Sequence, residues 1–300
     1  MNKPLYVITG ATGNVGSKLA ERLLARGVRV RVVGRDEVRL KRFAARGAEP
    51  SAGDIGDRAF LERSFTGAEG VFAMIPPRYE VSDFRAYQNQ VSESLTEAAR
   101  NSGVRKVVNL SSIGAHLPEG TGPIAGLHDH EQRMNKLSGI AVLNLRPAFF
   151  MENHLWNIPL IKAQGINGGS MRPDIAVSQI ATADIAERAA QRLLEMNFAG
   201  SRVEELLGAA DLNQAESTKI LGAAIGRPDL AYVQFPYEGT LDALLKMGMS
   251  RNAAETMVEM YRSFNDGVLR SAEPRTSSNT TRTTLEEFAR TVFAPAYAAS

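Results

Sequence analysis

A segment punctuated by glycines near the N-terminus most constrains what this chain can fold into. Glycine recurs at positions 10, 13 and 16, directly after the apolar run Leu5–Ile8 and directly before an amphipathic stretch that ends at Gly27. A buried strand, a tight turn and a helix in this order are typical of a dinucleotide-binding βα unit. Gly10 would let the chain turn out of the strand, and Gly13 would let backbone approach a diphosphate. Gly16 would let the new helix pack close to the sheet.

The first turn of this predicted helix is a candidate site for the pyrophosphate of a dinucleotide. Free N–H groups and the positive end of the helix dipole attract an anion without a side-chain cation. An ordinary glycine-rich turn in a βα unit is the alternative, and the flanking strand and helix make it the weaker interpretation. The residues that we expect to contact the cofactor here are Gly10, Thr12, Gly13, Asn14 and Val15.

Composition is that of a globular protein without disulfides. The chain has 300 residues, 44% hydrophobic and 23% charged, enough for one large core or a core with a smaller appended lobe. With 35 basic and 33 acidic side chains the net charge is +2, which argues against nucleic acid as a partner. The absence of cysteine excludes thiolate chemistry. No apolar run approaches the length of a membrane span, and the first strand leaves no room for a signal peptide, so we expect a cytoplasmic protein.

The end of the second predicted strand, Val28–Val33, favours a phosphorylated nicotinamide cofactor. About twenty residues past the glycine turn, an acidic side chain would bind the ribose 2′-hydroxyl, whereas an arginine would neutralise a 2′-phosphate. The sequence has Gly34 and Arg35 at this point, and Arg39 follows one helical turn later. A solvated surface arginine followed by Asp36 is the alternative. We therefore predict NADP(H) rather than NAD(H).

Three later strand ends are expected at the same rim of a parallel sheet, because ligands bind outside the carboxyl ends of such strands. The strand beginning at Gly70 would bring Met74, Ile75 and Pro76 near the nicotinamide ribose. The strand Lys106–Ile113 would bring two adjacent hydroxyls. The residues that follow the strand ending at Arg146 would form an apolar pocket that contains one amide side chain. The alternative is that these apolar side chains only pack between two lobes. The residues from these last two strand ends are Ser111, Ser112, Pro147, Phe149, Phe150, Asn153 and Trp156.

Spacing and motifs together resemble a known family. The Gly-x-x-Gly-x-x-Gly pattern resembles the short-chain dehydrogenase/reductase superfamily, and the later segments narrow the resemblance to its atypical NmrA-like family. Those segments are Leu110-Ser111-Ser112, His128-x-x-Glu131 on a helix that ends Ser138-Gly139, and the run from Leu143 to Asn153. The resemblance implies a Rossmann-type doubly wound α/β sheet, a serine that binds the substrate carbonyl, and an adenine bordered by Asp54 and Ile55. A helix-capping role for Asp54 or Asp57 remains open.

The chain also departs from the superfamily. No tyrosine occurs between Tyr87 and Tyr232, so the Tyr-x-x-x-Lys pair is absent. By position, His128 replaces the usual lysine and Ile124 the usual tyrosine. His128 could donate a proton near neutral pH, although a surface or capping role is the alternative. His128 and His130 do not share a helix face, so we predict no metal site.

These features predict an NADPH-dependent reductase of a small hydrophobic acceptor, either a quinone, an azo compound or a conjugated carbonyl compound. Catalysis would rest on Ser111 or Ser112, with a proton from His128 or from water, because the cofactor performs the difficult step. The alternative is a non-catalytic NADP(H)-sensing regulator that binds a protein partner, and an isomerase or epimerase is a weaker third interpretation. A homodimer is also open, and the fold alone does not choose among these functions.

The sequence predicts two regions. Residues 1–153 form the NADP(H)-binding domain, and residues 154–300 form mostly a smaller α/β substrate lobe, with about 174–200 returning to the first domain. We expect Gly165–Ser170 to be a flexible loop that covers the cleft. The threonine-rich segment 276–283 is interpreted as a solvated linker, with a lid or a modification site as the alternatives.

Overall fold

The computed structural model describes residues 3–300, and strands alternate with helices through the first half of the chain. In order, these elements are β1 (Leu5–Ile8), α1 (Asn14–Ala25), β2 (Arg29–Gly34), α2 (Glu37–Ala44), β3 (Glu49–Ala52), α3 (Arg58–Phe65), β4 (Gly70–Ala73), α4 (Phe84–Asn101), β5 (Lys106–Leu110), α5 (Ile124–Met134) and β6 (Ala141–Pro147).

The second half is less regular. Its elements are β7 (Phe149–Phe150), a 3-10 helix (Met151–Asn157), α6 (Ile158–Gln164), β8 (Ile166–Gly169), β9 (Val177–Ile180), α7 (Thr182–Glu195), β10 (Ser201–Leu206), β11 (Ala210–Leu212), α8 (Gln214–Ala224), β12 (Ala231–Gln234), α9 (Tyr237–Lys246), α10 (Arg251–Asn265), α11 (Leu285–Phe288), a π-helical turn (Ala289–Phe293) and α12 (Ala294–Ala299).

The main sheet confirms the predicted doubly wound α/β class. Its seven strands are all parallel, in the order β10-β6-β5-β4-β1-β2-β3. The strands at the centre, β1 and β4, are buried along their whole length, as expected when helices cover both faces. The chain winds outward from β1 through β2 and β3, then returns to β4 and winds the other way. The reversal opens a crevice at the carboxyl ends of β1 and β4, where this fold binds ligands.

Local sequence explains where the helices of this domain begin. Asp36, Asp57 and Asp83 precede α2, α3 and α4, and each carboxylate accepts a hydrogen bond from a backbone N–H of the first turn. Asp57 therefore caps α3, and Asp54 does not. Val91, Leu95 and Ala98 fall on one helical face, so the sequence also predicts a helix over about 83–102, and α4 matches it closely because Asp83 lies just outside the helix. Helix α1 begins at Asn14, which is before the predicted start after Gly16.

The smaller lobe contains two short sheets and its own hydrophobic cluster. One sheet has the order β11-β9-β7 and the other pairs β12 with β8. Leu221, Leu230, Phe288 and Phe293 are among the buried side chains of this cluster. The spacing of Asn213 and Glu216 in the sequence predicts a capping box, and it is confirmed: these two residues exchange hydrogen bonds at the start of α8.

The predicted flexible loop at Gly165–Ser170 is wrong. Residues Ile166–Gly169 form β8, which pairs in parallel with β12. The glycines there allow close packing, because a Cβ at Gly168 would lie within 2.5 Å of the Phe235 ring. Glycine in this segment marks a close approach of strands rather than a mobile lid.

The second half returns to the first domain through α7 and β10. Helix α7 packs along α1, where Lys18 Nζ donates to Thr182 Oγ1 at 2.9 Å, and β10 then pairs with β6 as the edge of the main sheet. The returning segment, expected at about 174–200, therefore includes β10 and runs on through Leu206. Within residues 3–300, no helix is both long enough and apolar enough to cross a membrane.

Candidate active site

The crevice between β1 and β4 is shaped by the residue that follows β1. The hydroxyl of Thr9 donates to the Phe72 carbonyl at 3.1 Å and accepts from the N–H of Met74 at 3.0 Å. These hydrogen bonds of Thr9 hold β1 and β4 together up to the point where the two chains diverge. Beyond it, the glycine turn leaves β1 on one side, and Met74, Ile75 and Pro76 leave β4 on the other, as the sequence predicted.

The glycine turn cannot carry side chains at two of its three glycines. Gly10 has φ of +63°, and a Cβ there would collide with the thioether of Met74. A Cβ at Gly16 would lie 2.8 Å from the carbonyl carbon of Gly10 and closer still to its oxygen. Gly16 therefore lets the first turn of α1 pack directly on the turn that precedes it.

The N-terminus of α1 is left open for an anion. Gly13 is the N-cap and supplies no side-chain hydrogen bond, and the first turn holds no acidic residue. Asn14 is exposed, Thr12 is half-buried and Val15 is packed into the core. These residues fit a diphosphate, since backbone N–H groups and the helix dipole face a surface free of Cβ atoms and of negative charge.

Two arginines flank this turn on the β2 side. Arg35 follows β2 and is exposed, and within residues 3–300 its guanidinium has no hydrogen-bond partner. Arg39 donates from Nη2 to the carbonyl of Thr12 at 2.8 Å, which ties α2 to the glycine turn. Asp36 is engaged as the cap of α2. Arg35 is therefore the cation that is free to meet a ligand phosphate at this end of the crevice.

The segment after β3 forms a tight turn beside the crevice. One carboxylate oxygen of Asp54 accepts from the N–H of Gly56 at 2.7 Å, the side chain is exposed, and Ile55 is buried. Tyr87 of α4 donates to the Pro76 carbonyl at 2.9 Å and fixes the loop after β4. Burial raises the pKa of Tyr87 to about 12, so this phenol stays protonated and keeps its role as donor.

The two serines after β5 lie in different surroundings. Ser111 is buried and donates to Glu131 Oε1 at 2.5 Å, and Arg146 holds the same carboxylate through Nε at 2.9 Å and Nη2 at 2.5 Å. Sequence reasoning missed this buried network, since nothing in the spacing links α5 to the end of β6. Ser112 is half-buried and, among residues 3–300, its hydroxyl has no hydrogen-bond partner. Of the two candidates, only Ser112 offers a free hydroxyl at the rim.

Of the four histidines, His116 is exposed on the surface, one lies at the rim and two lie in the interior. His128 is half-buried, and its Nδ1 donates to the Ala115 carbonyl at 2.9 Å, which leaves Nε2 for other contacts. His130 is buried against Ser92, and burial lowers its pKa to about 3. His154 is buried against Gln179, and burial lowers its pKa as well. Both interior imidazoles are therefore neutral at physiological pH.

The aromatic segment after β6 lies at the same edge of the sheet. Phe149 is half-buried and meets Phe264 of α10 edge-on at 6.3 Å between ring centroids. Trp156 is 52% exposed and lies edge-on to Tyr79 at 6.3 Å, which brings the loop after β4 against the 3-10 helix. Phe150 is half-buried. Phe149 and Trp156 thus pack against different partners, Phe149 against α10 and Trp156 against the loop after β4.

Two further predicted residues, Asn153 and Pro147, differ from each other in exposure. Asn153 is exposed on the 3-10 helix, and Pro147 is buried at the end of β6. A surface cavity of about 530 Å³ lies elsewhere, between α7 and β10 at the edge of the sheet. Within the described range, 3–300, no group of histidine and acidic side chains is arranged to hold a metal ion.

Comparison with known proteins agrees with this geometry. The model of the NmrA-like family matches residues 2–289. The NAD(P)H azoreductase of Xenophilus azovorans is 29% identical over 262 residues, 86% of each chain. The NADPH complex of the quinone oxidoreductase QOR2 from Escherichia coli has a TM-score of 0.79 at 23% identity, over 96% of this chain and 99% of that one.

A transcriptional regulator shares the same fold. The structure of the negative transcriptional regulator NmrA in complex with NADP has a TM-score of 0.73 at 16% identity, over 100% of this chain and 98% of that one. At this identity the two solved structures establish the fold, and the family model establishes kinship over nearly the whole chain. This chain belongs to the NmrA-like family.

Proposed function

We propose that the crevice binds NADP(H). The glycine turn and the open N-terminus of α1 would hold the diphosphate, and the unpartnered guanidinium of Arg35 would hold the 2′-phosphate. Asp54 and Ile55 would border the adenine, and the Met74–Pro76 and Pro147–Phe149 segments would border the nicotinamide end. The azoreductase relative carries NAD(P)H in its name, which supports the same cofactor.

The function that the site supports best is reduction of a small hydrophobic acceptor, such as a quinone, an azo compound or a conjugated carbonyl compound. When bound, the reduced nicotinamide supplies the hydride. Phe149, Phe150 and Trp156 would provide flat apolar surfaces for the acceptor and exclude water, and Asn153 would contact its polar edge. The observation that supports this proposal is that a free serine hydroxyl follows β5 and half-buried phenylalanines follow the neighbouring strand β6, both at the carboxyl edge of the sheet.

Two side chains are proposed to act on the acceptor. Ser112 would donate a hydrogen bond to the acceptor atom on which charge develops, because its hydroxyl is free and at the rim. Ser111 is excluded from this role by its hydrogen bond to Glu131. Because Nδ1–H of His128 donates to the Ala115 carbonyl, Nε2 is the ring nitrogen that would carry the transferable proton, and it does so in the imidazolium form; bulk water is the other proton source.

A cofactor-sensing regulator that binds a protein partner is the second candidate. It is favoured by the absence of any tyrosine between Tyr87 and Tyr232 and by the burial of Ser111 in a structural network. Such a protein would bind NADP(H) tightly and turn over no acceptor.

The deciding experiment follows NADPH oxidation by absorbance with a panel of quinones, azo compounds and enones, with NADH in parallel. We expect turnover of one acceptor class and preference for NADPH. Ser112→Ala should lower kcat/KM by about tenfold or more, the size expected for losing a hydrogen bond to developing charge. Ser138→Ala, at an exposed position beyond α5, is the control and should retain full activity. If no acceptor is reduced while NADPH still protects the fold against heat, the regulator replaces the reductase.

A further inference from the structure

Helix α10 of the smaller lobe lies over the rim of the crevice. A Cβ at Gly122, just before α5, would come within 2.9 Å of the N of Met260, and one at Gly114 would collide with Leu269 just beyond α10. Phe264 of α10 contacts Phe149 after β6. The helix therefore packs on the segment between β5 and α5 and on the residues that follow β6.

Tyr261 is on the inner face of this helix. It precedes Phe264 by three residues, so both project from the same face, and it packs against the hydrophobic cluster that also receives Phe149 and Phe150. Burial among these side chains raises the pKa of Tyr261 to about 12. The phenol therefore remains protonated at neutral pH and can only act there as a neutral hydrogen-bonding group.

The hydroxyl of Tyr261 is free, unlike those of its neighbours in the lobe. Tyr232 donates to the Met171 carbonyl at 2.8 Å, and the Tyr237 oxygen accepts from Asn265 Nδ2 at 2.7 Å. Within residues 3–300, Tyr261 Oη makes no hydrogen bond, and it is not among the fully enclosed polar atoms. A phenol that is held in an apolar pocket, open and without a partner is suited to a ligand that brings a hydrogen-bond acceptor.

We propose that Tyr261 is a specificity-determining residue that donates a hydrogen bond to a carbonyl oxygen or azo nitrogen of the acceptor. This inference rests on the proposed reductase function. It narrows the substrate class to planar aromatic compounds with a hydrogen-bond-accepting atom beside the ring. Tyr261 would also supply, from α10, the tyrosine hydroxyl that is absent between β5 and β6.

The test measures binding, so that it stays separate from turnover. Wild type and Tyr261→Phe, both saturated with NADP⁺, are titrated by calorimetry with 1,4-naphthoquinone and with naphthalene, which has the same rings without the oxygens. The single tryptophan, Trp156, provides a fluorescence readout for the quinone at the crevice mouth. Tyr297→Phe is the matched control, because that half-buried ring lies on α12, where it packs under Lys162.

We expect Tyr261→Phe to bind naphthoquinone about fivefold more weakly, the size of one neutral hydrogen bond, and to bind naphthalene and NADP⁺ as wild type does. If Tyr261→Phe weakens the binding of both ligands equally, the hydroxyl has only a structural role. If the affinity for the quinone is unchanged, the hydroxyl does not contact it. Either result overturns the proposal. Wild type that binds neither aromatic compound overturns it as well. Normal quinone binding without NADPH oxidation would refute the reductase and leave this contact standing.

Discussion

At the scale of single residues, Arg35 is the side chain whose loss tests the proposed preference for NADP(H). Replacing it in Arg35→Ser removes a charge-assisted contact to a 2′-phosphate, a contact worth about 1.5–3 kcal/mol. We expect NADPH to bind between about tenfold and a hundredfold more weakly and NADH to bind unchanged, as measured by calorimetry.

Arg42→Ser is the control for this substitution, because Arg42 lies on α2, the helix that begins two residues after Arg35, with its guanidinium over the Phe43 ring. It should leave both affinities unchanged. If Arg35→Ser weakens the binding of NADPH and NADH equally, Arg35 stabilises the conformation of the turn and does not bind the 2′-phosphate.

Single residues differ in how far the sequence predicted their surroundings. Arg35 and Ser112 could be placed from the strands they follow, because the carboxyl end of a parallel strand has a fixed place in this fold. The pairing of Ser111 with Glu131 and Arg146 could not, because it joins three elements and depends on side-chain geometry. Tyr261 was missed for the same reason, since its place at the crevice depends on how the smaller lobe folds over the sheet.

At the scale of elements, the packing of α1 on the glycine turn depends on Gly16. Gly16→Ala places a methyl group against the Gly10 carbonyl, and the backbone must move to relieve this clash. We expect a loss of about 1–3 kcal/mol in the free energy of unfolding, as for other overpacked sites, together with weaker NADPH binding. Urea denaturation and calorimetry measure the two effects.

Gly239→Ala is the matched control, since Gly239 lies in α9 with no atom near its Cβ position. Alanine favours helix over glycine, so this change should raise stability by up to about 1 kcal/mol and leave NADPH binding alone. Unchanged stability and cofactor affinity in Gly16→Ala would contradict the role assigned to the turn.

The elements that the sequence predicted well are those with local signals. Helix α4 was predicted from about Asp83, Asp57 was one of two candidates for the cap of α3, and the box at Asn213 depends on residues three positions apart. Strand β8 was missed because its partner β12 lies more than sixty residues later in the chain. Its glycines look like a loop until the partner strand is known to approach them.

At the scale of the whole molecule, two buried neutral histidines make stability depend on pH. The folded-state pKa of His130 is about 3, below the unfolded value of about 6.5, so the unfolded chain binds a proton that the folded protein excludes. Stability is therefore complete above about pH 6.5 and falls as the pH is lowered toward 3. His130 alone should cost about 2 kcal/mol between pH 7 and pH 5, and His154 shifts in the same direction.

Urea denaturation of wild type and His130→Asn at both pH values measures this effect. The asparagine can keep a hydrogen bond to Ser92 but does not titrate, so its stability should fall less between pH 7 and pH 5. His116→Asn, at an exposed position, should follow the wild type. If the free energy of unfolding falls equally between pH 7 and pH 5 in His130→Asn and in wild type, groups other than His130 cause the acid sensitivity.

The position of β10 at the edge of the main sheet also bears on how the chain is made. Strand β6 is buried almost throughout, and its outer neighbour is β10, which follows it by more than fifty residues. On the ribosome, β6 emerges before β10. Its apolar side chains and one edge of its backbone therefore stay unpaired while the intervening segment is translated. At typical elongation rates that interval lasts several seconds, a period in which an exposed strand can pair with other nascent chains. The nascent chain is thus most exposed to aggregation, and to capture by chaperones, in the middle of its synthesis.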